Sequence, residues 1–223
     1  MESVGEKFIA IKPGDSSQST VKLVNRENGR IHPGLHKVVA VVLSKDDDTR
    51  GKEISMIRKK VRSADGYCEY WERLREANIA TIPTVRKISE NEVLMTDLTK
   101  DGSAFYGKDS VFGCFDRFKK NEINILDKYF LAIQPSVLEN EIREVSRRAD
   151  ENGIVLPTDD PFDLLIHPDG TWKVLVLDLE TEKSSAREDQ IRVFNNDSVR
   201  HYLTLLKINR NSLLGKEPPS IIF

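Results

Sequence analysis

The chain has 223 residues, and its 34 lysines and arginines against 36 aspartates and glutamates give a formal charge of −2. Hydrophobic residues make up 39% and charged residues 31% of it, which allows a buried core and excludes a disordered, charge-dominated chain. The near-neutral balance excludes a global field that would attract nucleic acid or a membrane surface. The length suits one large domain or one domain built as two lobes.

The sequence predicts neither a membrane span nor a leader. The longest uninterrupted apolar run, Val38 to Leu43, is far shorter than the roughly 18 residues that cross a bilayer. The first residues lack the basic-then-apolar pattern of a secretory signal. The two cysteines, Cys68 and Cys114, have no Cys-x-x-Cys or histidine pair nearby, so neither a disulfide framework nor a zinc site is predicted. We expect a soluble protein in a reducing compartment.

The first hundred residues predict antiparallel hairpins and one helix. Short apolar segments alternate with turn-forming pieces such as Pro13 to Ser17 and Asn28-Gly29. The helix is indicated by apolar residues three and four apart, and it stops before Pro83. In chain order, the predicted elements are strands over 7–11, 21–24, 38–43 and 54–61, a helix over 65–77, and strands over 84–88 and 92–96.

The second part of the chain predicts mostly helices. Apolar residues recur at helical spacing over 110–130 and 136–149, with a capping-box pattern from Ser136 to Glu139 and a stop at Asn152-Gly153. A hairpin over 164–166 and 173–179 follows, with His167 as a turn residue. A last helix is predicted over 188–206 before an extended end at 218–223. Its predicted apolar stripe consists of Ile191, Phe194, Val199, Tyr202, Leu203 and Leu206.

A loop of small residues lies between the first two predicted strands. Gly14 is followed by Ser16 and Ser19 at the spacing of Gly-x-Gly-x-x-Gly, and Val21 completes the pattern. Small residues let backbone N–H groups approach phosphate oxygens, and serine adds a hydroxyl. A solvated hairpin turn is the other interpretation of this segment.

A basic strand precedes the first predicted helix. Strand alternation puts Lys59 on one face with Ile57 and puts Lys60 on the other, which favours Lys59 as the functional cation and keeps Lys60 in reserve. On the helix, Glu69 and Glu72 lie on similar faces, and either could pair with the lysine. A second assignment would take residues 39–42 as the lysine strand, where no lysine stands. A solvated basic edge over residues 58–62 is the remaining interpretation.

An ordered acidic series follows the Gly153-Ile154 helix end. It runs from Thr158-Asp159-Asp160 to Asp163, through a turn at Asp169-Gly170, to an apolar strand that ends at Asp178. An Asp that ends a buried apolar strand needs a partner or an ion. A surface acidic turn followed by a hairpin is the alternative.

Read in this order from about Phe8 to Leu206, the motifs resemble the protein-kinase-like superfamily, in particular minimal or atypical kinases such as those among bacterial secreted effectors. The resemblance implies an α+β bilobal fold that forms a single domain. Its β-rich N-lobe with one helix would cover residues 1–99, and its short, mostly helical C-lobe would cover 100–223. A hinge is expected near Thr99 to Gly102.

The resemblance also implies a site for ATP and Mg²⁺. Asp163 and Asp178 would hold Mg²⁺, and Met95, which could also be a plain core residue, would lie behind the base. At the usual spacing the catalytic aspartate position is Thr158, which cannot accept a proton as a carboxylate does; Asp159 or Asp160 could substitute, with Asp160 favoured. The residues expected to contact the nucleotide are Gly14, Ser16, Ser19, Val21, Lys59 or Lys60, Glu69, Met95 and Asp97.

The function that the resemblance implies is transfer of the ATP γ-phosphoryl group to a hydroxyl of a protein, in the manner of a serine/threonine kinase. The substrate could be a host protein, and the chain would be cytoplasmic or secreted into a host cell without a classical signal peptide. No nucleic-acid partner is expected. The alternatives are a pseudokinase or nucleotide-binding interaction module, another phosphoryl or nucleotidyl transfer on the same scaffold, and an α+β interaction protein unrelated to kinases.

Overall fold

The computed structural model shows a mixed α+β chain. Near the N-terminus it describes the backbone of four strands, and from residue 53 onward it describes residues 53–157, 161–177 and 188–216. The four strands are β1 (Phe8–Ile9), β2 (Thr20–Val24), β3 (Arg30–His32) and β4 (Leu35–Leu43).

The chain packs into two compact units. The first combines residues 1–68 with 83–97, and the second combines 69–82 with 98–223. One boundary between the two units therefore falls inside the first helix, between residues 68 and 69, and another falls between Asp97 and Leu98. The predicted division into lobes at residues 99 and 100 stays a prediction, because a compact unit does not by itself identify a kinase lobe.

The first unit is built on an antiparallel sheet. Its strand order is β1, β2, β4, β5 (Glu53–Lys60), β7 (Glu92–Thr96), β6 (Val85–Ser89), with β3 paired to β4. On the interior strand β5, Lys59 lies opposite Leu35 of β4 and Val93 of β7. The predicted antiparallel hairpins are confirmed. The three-residue strand β3 is an addition that the sequence pattern did not indicate.

Among the residues of the first unit whose side chains are described, the core lies on β5, β6, β7 and the start of the first helix. Met56 and Ile57 are adjacent on β5 and point to opposite faces, yet both are buried, so both faces of the strand are covered there. The helix α1 (Ala64–Glu76) follows β5 within one residue of its predicted bounds. It begins where Ser63 Oγ accepts a hydrogen bond from the Gly66 N–H at 3.1 Å, which satisfies one of the first-turn amides.

The second unit contains a small antiparallel sheet of β8 (Ala104–Tyr106), β9 (Asp163–Ile166) and β10 (Trp172–Leu175), in the order β10, β9, β8. The β9–β10 hairpin is the predicted one. In its turn the His167 N–H donates to the Thr171 carbonyl at 2.8 Å, and Gly170 adopts a φ of +86°, which favours glycine. The strand β8 was not predicted, because three residues after a turn carry no alternating pattern.

The helical stretch predicted over residues 110–130 is two helices, α2 (Val111–Lys119) and α3 (Ile125–Ala132). The chain turns between them at Asn121, whose φ of +60° is a left-handed conformation that asparagine tolerates. Asn124 and Asp127 then form a capping box, each side chain bonding the backbone N–H of the other. This local chemistry divides a pattern that looked continuous by spacing alone.

A buried ion pair joins β8, α2 and α3. The Asp127 carboxylate is fully buried and accepts hydrogen bonds from Arg117 Nε at 2.9 Å, Arg117 Nη2 at 2.7 Å and the Tyr106 hydroxyl at 2.8 Å. Burial, together with the hydrogen bond to Asp127, raises the pKa of Tyr106 well above its ordinary value. A buried carboxylate with this many donors is satisfied, so the cluster holds the second unit together.

The helix α4 (Pro135–Glu151) corrects one prediction. The capping box predicted from Ser136 to Glu139 is wrong, because the helix begins at Pro135 and its N-cap, Gln134, makes no side-chain cap bond. Proline takes the first helical position, as it often does, so Ser136 lies inside the helix rather than at the cap position. The predicted stop at residues 152–153 is confirmed by the Asn152 cap and by Gly153 with a φ of +63°.

The helix α5 (Glu188–Leu213) continues seven residues beyond the predicted end. Four residues of the predicted stripe are buried, namely Ile191, Val199, Tyr202 and Leu206. Phe194 is instead 40% exposed and Leu203 only half-buried. The reason is that polar Asn195 and Ser198 occupy the buried face, which rotates the stripe away from these two positions. Neither α5 nor any other described helix is long and apolar enough to cross a membrane.

Candidate functional site

In the first unit, a cation, an aromatic ring and a thioether come together. Lys59 on β5 is half-buried, whereas Lys60 is exposed. The Lys59 Nζ lies 5.1 Å from the centroid of the Tyr67 ring, within the range of a cation–π contact. The buried Tyr67 hydroxyl in turn donates to the Met95 Sδ at 3.7 Å. Lys59 is therefore less exposed than Lys60, and its ammonium group contacts an aromatic ring rather than open solvent.

Two other predicted residues lie at the end of β7. Met95 is half-buried and pairs with Ile57 of β5, while Asp97, directly after the strand, is 2% exposed. Burying a carboxylate this deeply costs free energy unless the carboxylate has partners, so Asp97 interacts with protein groups rather than with solvent. The sequence offered no signal of this burial, because Asp97 precedes a polar turn.

Burial does not distinguish Glu69 from Glu72 as the predicted partner of Lys59. Glu69 and Glu72 both lie on α1 and both are exposed. The buried positions of the helix around them are Tyr67, Tyr70 and Leu74. The pairing of Lys59 with Glu69 therefore stays a prediction, and so does the competing choice of Glu72.

In the second unit, Asp163 opens β9 opposite Leu175 of β10 and is half-buried. A Cβ added to Gly107 would lie 3.3 Å from Asp163 Oδ1 and 3.3 Å from a ring carbon of Tyr202. Gly107 therefore packs closely against Asp163 and Tyr202, where a side chain at position 107 would be crowded. The role of Asp163 as a Mg²⁺ ligand stays a prediction.

Several predicted site residues lie outside the described part of the chain. These are Gly14, Ser16 and Ser19 of the small-residue loop, Thr158, Asp159 and Asp160 of the acidic loop, and Asp178. Val21 lies on β2, and residues 39–42 lie on β4; only their backbone is described. Among the residues that are described, no group of three His, Cys, Asp or Glu side chains could hold a metal ion.

The segment that leads into the acidic loop is held by polar side chains of α5. Asn195 Oδ1 accepts from the Leu156 N–H at 2.7 Å, and its Nδ2 donates to the Ile154 carbonyl at 2.9 Å and to Asp150 Oδ1 at 2.7 Å. Ser198 Oγ donates to the Pro157 carbonyl at 2.9 Å. These two buried residues fix the backbone directly before Thr158.

The same helix holds the backbone beside Asp163. The Tyr202 hydroxyl donates to the Tyr106 carbonyl at 2.7 Å, and Asn209 Nδ2 donates to the Gly107 carbonyl at 2.9 Å. Four residues of α5 hold backbone groups in this way, and the sequence did not predict that role for any of them: Asn195, Ser198, Tyr202 and Asn209. Tyr202 alone was predicted, as a core residue. The available signal was the recurrence of Asn195, Ser198, Tyr202 and Asn209 at helical spacing on one face.

The approach to Asp178 is anchored as well. Val176 is fully buried, and its N–H donates to the Ala80 carbonyl at 3.0 Å. The Thr81 hydroxyl donates back to the Val176 carbonyl at 2.6 Å, in a short parallel bridge. The chain thus leaves the core at a defined point, one residue before the last described position of this stretch, Leu177.

The predicted hinge region bonds to the β9–β10 turn. Asp101 Oδ1 accepts from the Ser103 hydroxyl at 2.6 Å and from its N–H at 3.0 Å, and the Ser103 hydroxyl lies 2.8 Å from His167 Nδ1. The Ser103 hydroxyl and amide hydrogen bonds hold the pKa of Asp101 below its ordinary value. His167 Nδ1 also lies 3.5 Å from Asp101 Oδ2, so one ring nitrogen faces both the serine and the carboxylate. In a nucleophilic triad the two ring nitrogens bond one of these groups each, so this cluster stabilises the turn and is not a triad.

Comparison with known proteins adds no family to this picture: no protein-family model matches the chain, and no curated protein matches it. Its function must therefore be argued from the residues themselves.

Proposed function

We propose that this chain is a minimal kinase-like phosphotransferase, which moves the γ-phosphoryl group of ATP to a hydroxyl of a protein in the presence of Mg²⁺. The observation that carries the proposal is Lys59. This half-buried lysine lies on an interior strand of an antiparallel sheet, next to the buried ring of Tyr67 on the helix that follows. A lysine on the strand before a glutamate-bearing helix is the arrangement by which protein kinases hold ATP phosphates.

The second unit supplies acidic chemistry that suits the same reaction. Asp163 opens a strand with a half-buried carboxylate, and the chain then runs through the β9–β10 hairpin toward Asp178. In the proposed reaction these two carboxylates hold Mg²⁺, whose chemistry is to neutralise the charge on the phosphate oxygens. The loop that carries Asp159 and Asp160 begins where Asn195 and Ser198 fix the backbone.

The step balances without a covalent enzyme intermediate. The acceptor hydroxyl oxygen forms a bond to the γ-phosphorus while the bond from that phosphorus to the bridging oxygen breaks, and ADP leaves. Asp160, or Asp159, accepts the hydroxyl proton. Lys59 stabilises the negative phosphate oxygens as a point charge. Such a reaction depends on positioning and charge more than on reactive side chains, which agrees with the rigid anchoring around the acidic segment.

The test is a set of matched variants with labelled ATP, Mg²⁺ and a cell lysate. Lys59→Met and Asp163→Asn should each lower label transfer by about a hundredfold or more, because each removes a charge that acts on the reacting phosphate. Lys87→Met is the control, since Lys87 is an exposed lysine of the same unit whose Nζ pairs with Asp65 at 2.7 Å. Thermal stabilisation by Mg-ATP should be lost in Lys59→Met and kept in the control.

Three results would contradict the proposal: no Mg-ATP stabilisation of the native chain, equal transfer by Lys59→Met and Lys87→Met, or full transfer by Asp163→Asn together with Asp178→Ala. Lys60→Met decides the assignment on the strand. A larger loss in Lys60→Met than in Lys59→Met would move the phosphate contact to the exposed lysine.

A nucleotide-binding pseudokinase is the second candidate, and Thr158 favours it. Threonine stands where the usual spacing puts the proton-accepting aspartate, and Ser16 and Ser19 replace two loop glycines. Stabilisation by Mg-ATP without label on any lysate protein would select this candidate. Replacing Thr158 by Asp would then test whether the missing carboxylate is the cause.

A further inference from the structure

Outside the proposed site, the second unit carries a groove with a basic rim. It encloses about 370 Å³ next to α4 and α5, and we call it the α4–α5 groove. Its cations are Arg143 of α4 and Arg200 and Lys207 of α5, and its apolar floor is Val199 and Leu203. Val199 is buried and Leu203 is half-buried, and both side chains line this space.

The charges of the rim are available to a ligand. Arg143 pairs with Glu139 at 2.7 Å and Arg200 pairs with Asp197 at 3.1 Å, but both pairs lie within single helices and are largely exposed. Exposed pairs of this kind contribute little, and each guanidinium keeps N–H groups that the pair does not use. Lys207 makes no ion pair within the described part of the chain, and none of the groove-lining residues described is acidic.

The geometry sets a spacing for the ligand charges. Arg200 and Lys207 are seven residues apart on one helix, so two turns of about 5.4 Å separate them along the axis, roughly 10 Å. Leu203 stands between them, one turn from each. A ligand that contacts Arg200, Leu203 and Lys207 together must therefore carry two negative groups roughly 10 Å apart with an apolar group between them. Phosphate or a single carboxylate cannot do so.

We propose that the α4–α5 groove binds an acidic peptide segment of a partner protein, with an apolar side chain in the cavity and a carboxylate facing each of Arg200 and Lys207. A peptide fits because acidic and apolar side chains on one backbone supply both kinds of group at this spacing. The cavity lining is mixed, since Asn196 and Thr204 accompany Val199 and Leu203, and a partly apolar centre with a polar rim is typical of a protein-recognition surface. This surface is independent of the Lys59 site, so it goes beyond phosphoryl transfer and does not require it.

The experiment measures binding of fluorescent synthetic peptides to the full chain by anisotropy at low salt. The probe is a short peptide held helical by a side-chain cross-link, because glutamates at its first and eighth positions lie roughly 10 Å apart only in a helix. Its fourth position is leucine, and the rest is a neutral alanine- and glutamine-based sequence. One matched peptide replaces both glutamates by glutamine, and another replaces the leucine by serine. The probe should bind about tenfold more tightly than either matched peptide, because each lacks one of the two recognition elements.

Matched protein variants connect that binding to the groove. Arg200→Gln with Lys207→Gln should weaken probe binding by about three- to tenfold and abolish the preference over the glutamine peptide. Lys128→Gln with Lys173→Gln removes the same net charge at exposed positions outside the groove and should leave binding unchanged. Thermal unfolding of both double variants verifies that they are folded.

Four outcomes would overturn the proposal. These are equal binding of the glutamate and glutamine peptides, equal binding of the leucine and serine peptides, equal weakening by both double variants, and displacement of the probe by inorganic pyrophosphate at comparable concentration. The first three would reduce the effect to non-specific attraction. The last would make the groove a site for small anions rather than for a peptide.

Discussion

Replacing Asn195 by alanine should destabilise the second unit strongly. The fully buried amide satisfies the Leu156 N–H at 2.7 Å and the Ile154 carbonyl at 2.9 Å, and it bonds Asp150 at 2.7 Å. Alanine would leave two buried backbone groups without this partner. Since each unsatisfied buried group costs about 1 to 3 kcal/mol, we expect the free energy of unfolding to fall by about 2 to 5 kcal/mol.

Urea denaturation followed by tryptophan fluorescence measures this change in the relevant unit. The chain has two tryptophans, Trp71 and Trp172, and both belong to the second unit. With a urea slope of about 2 kcal/mol per molar, the middle of the typical range, the midpoint should fall by about 1 to 2.5 M. Asn196→Ala is the matched control, because Asn196 is the next residue and is exposed; its effect should stay within about 0.5 kcal/mol.

The reasoning would be refuted if Asn195→Ala lost less than about 1 kcal/mol, the ordinary net value of a single hydrogen bond. Water would then replace the amide, and the segment before Thr158 would not depend on α5. A second readout concerns the proposed function. At a temperature where Asn195→Ala stays folded, label transfer should drop while Mg-ATP stabilisation persists, because the segment positions the acidic loop and does not itself hold the nucleotide.

In the same fluorescence assay, Asp127→Ala should lower the free energy of unfolding by about 3 to 5 kcal/mol, because it leaves the Arg117 guanidinium without its buried acceptor. Asp116→Ala, on the exposed side of α2, is the control and should be near neutral. Similar midpoints for the two variants would contradict this prediction. At about pH 8 a thiol reagent should modify half-exposed Cys68 and spare buried Cys114 until the chain unfolds, so two equivalents taken up by the native chain would count against the burial described. Burial raises the pKa of the Cys114 thiol from 9.0 to about 11, so the folded state favours the neutral form. The stability of the second unit should therefore be insensitive to this group below pH 9.0 and should decrease as the pH rises through about 11, which urea midpoints across that range would check.

The elements that the sequence predicted well are those with a hydrophobic period. The strands β5 and β7 and the helix α1 were found within a residue or two, because apolar residues at period two or three to four dominate their patterns. Alternation also favoured Lys59 over Lys60, and the structure finds Lys59 half-buried and Lys60 exposed. Elements as short as β3 and β8 have too few residues for a period, so they were missed.

Polar chemistry was predicted less well, because its partners are distant in the chain. Asn124 to Asp127 and Ser136 to Glu139 both have capping-box spacing, and only the first is used, since a proline starts the helix at the second. Asn195 bonds a backbone 39 residues away, so its helical spacing with Ser198 and Tyr202 indicates a shared face but does not reveal its partner. Phe194 belongs to the predicted apolar stripe but is exposed, because the buried face of α5 is partly polar.

The attachment of residues 154–157 to α5 has a consequence for the dynamics of the chain. Segments without regular structure usually exchange their amide hydrogens quickly, because they open in small local fluctuations. Here the Leu156 amide is bonded to a helix side chain, and the Pro157 carbonyl is bonded to another. Opening this segment requires breaking bonds to the middle of a 26-residue helix. The amide exchange of this segment should therefore follow the opening of α5 rather than the fast opening of a free loop.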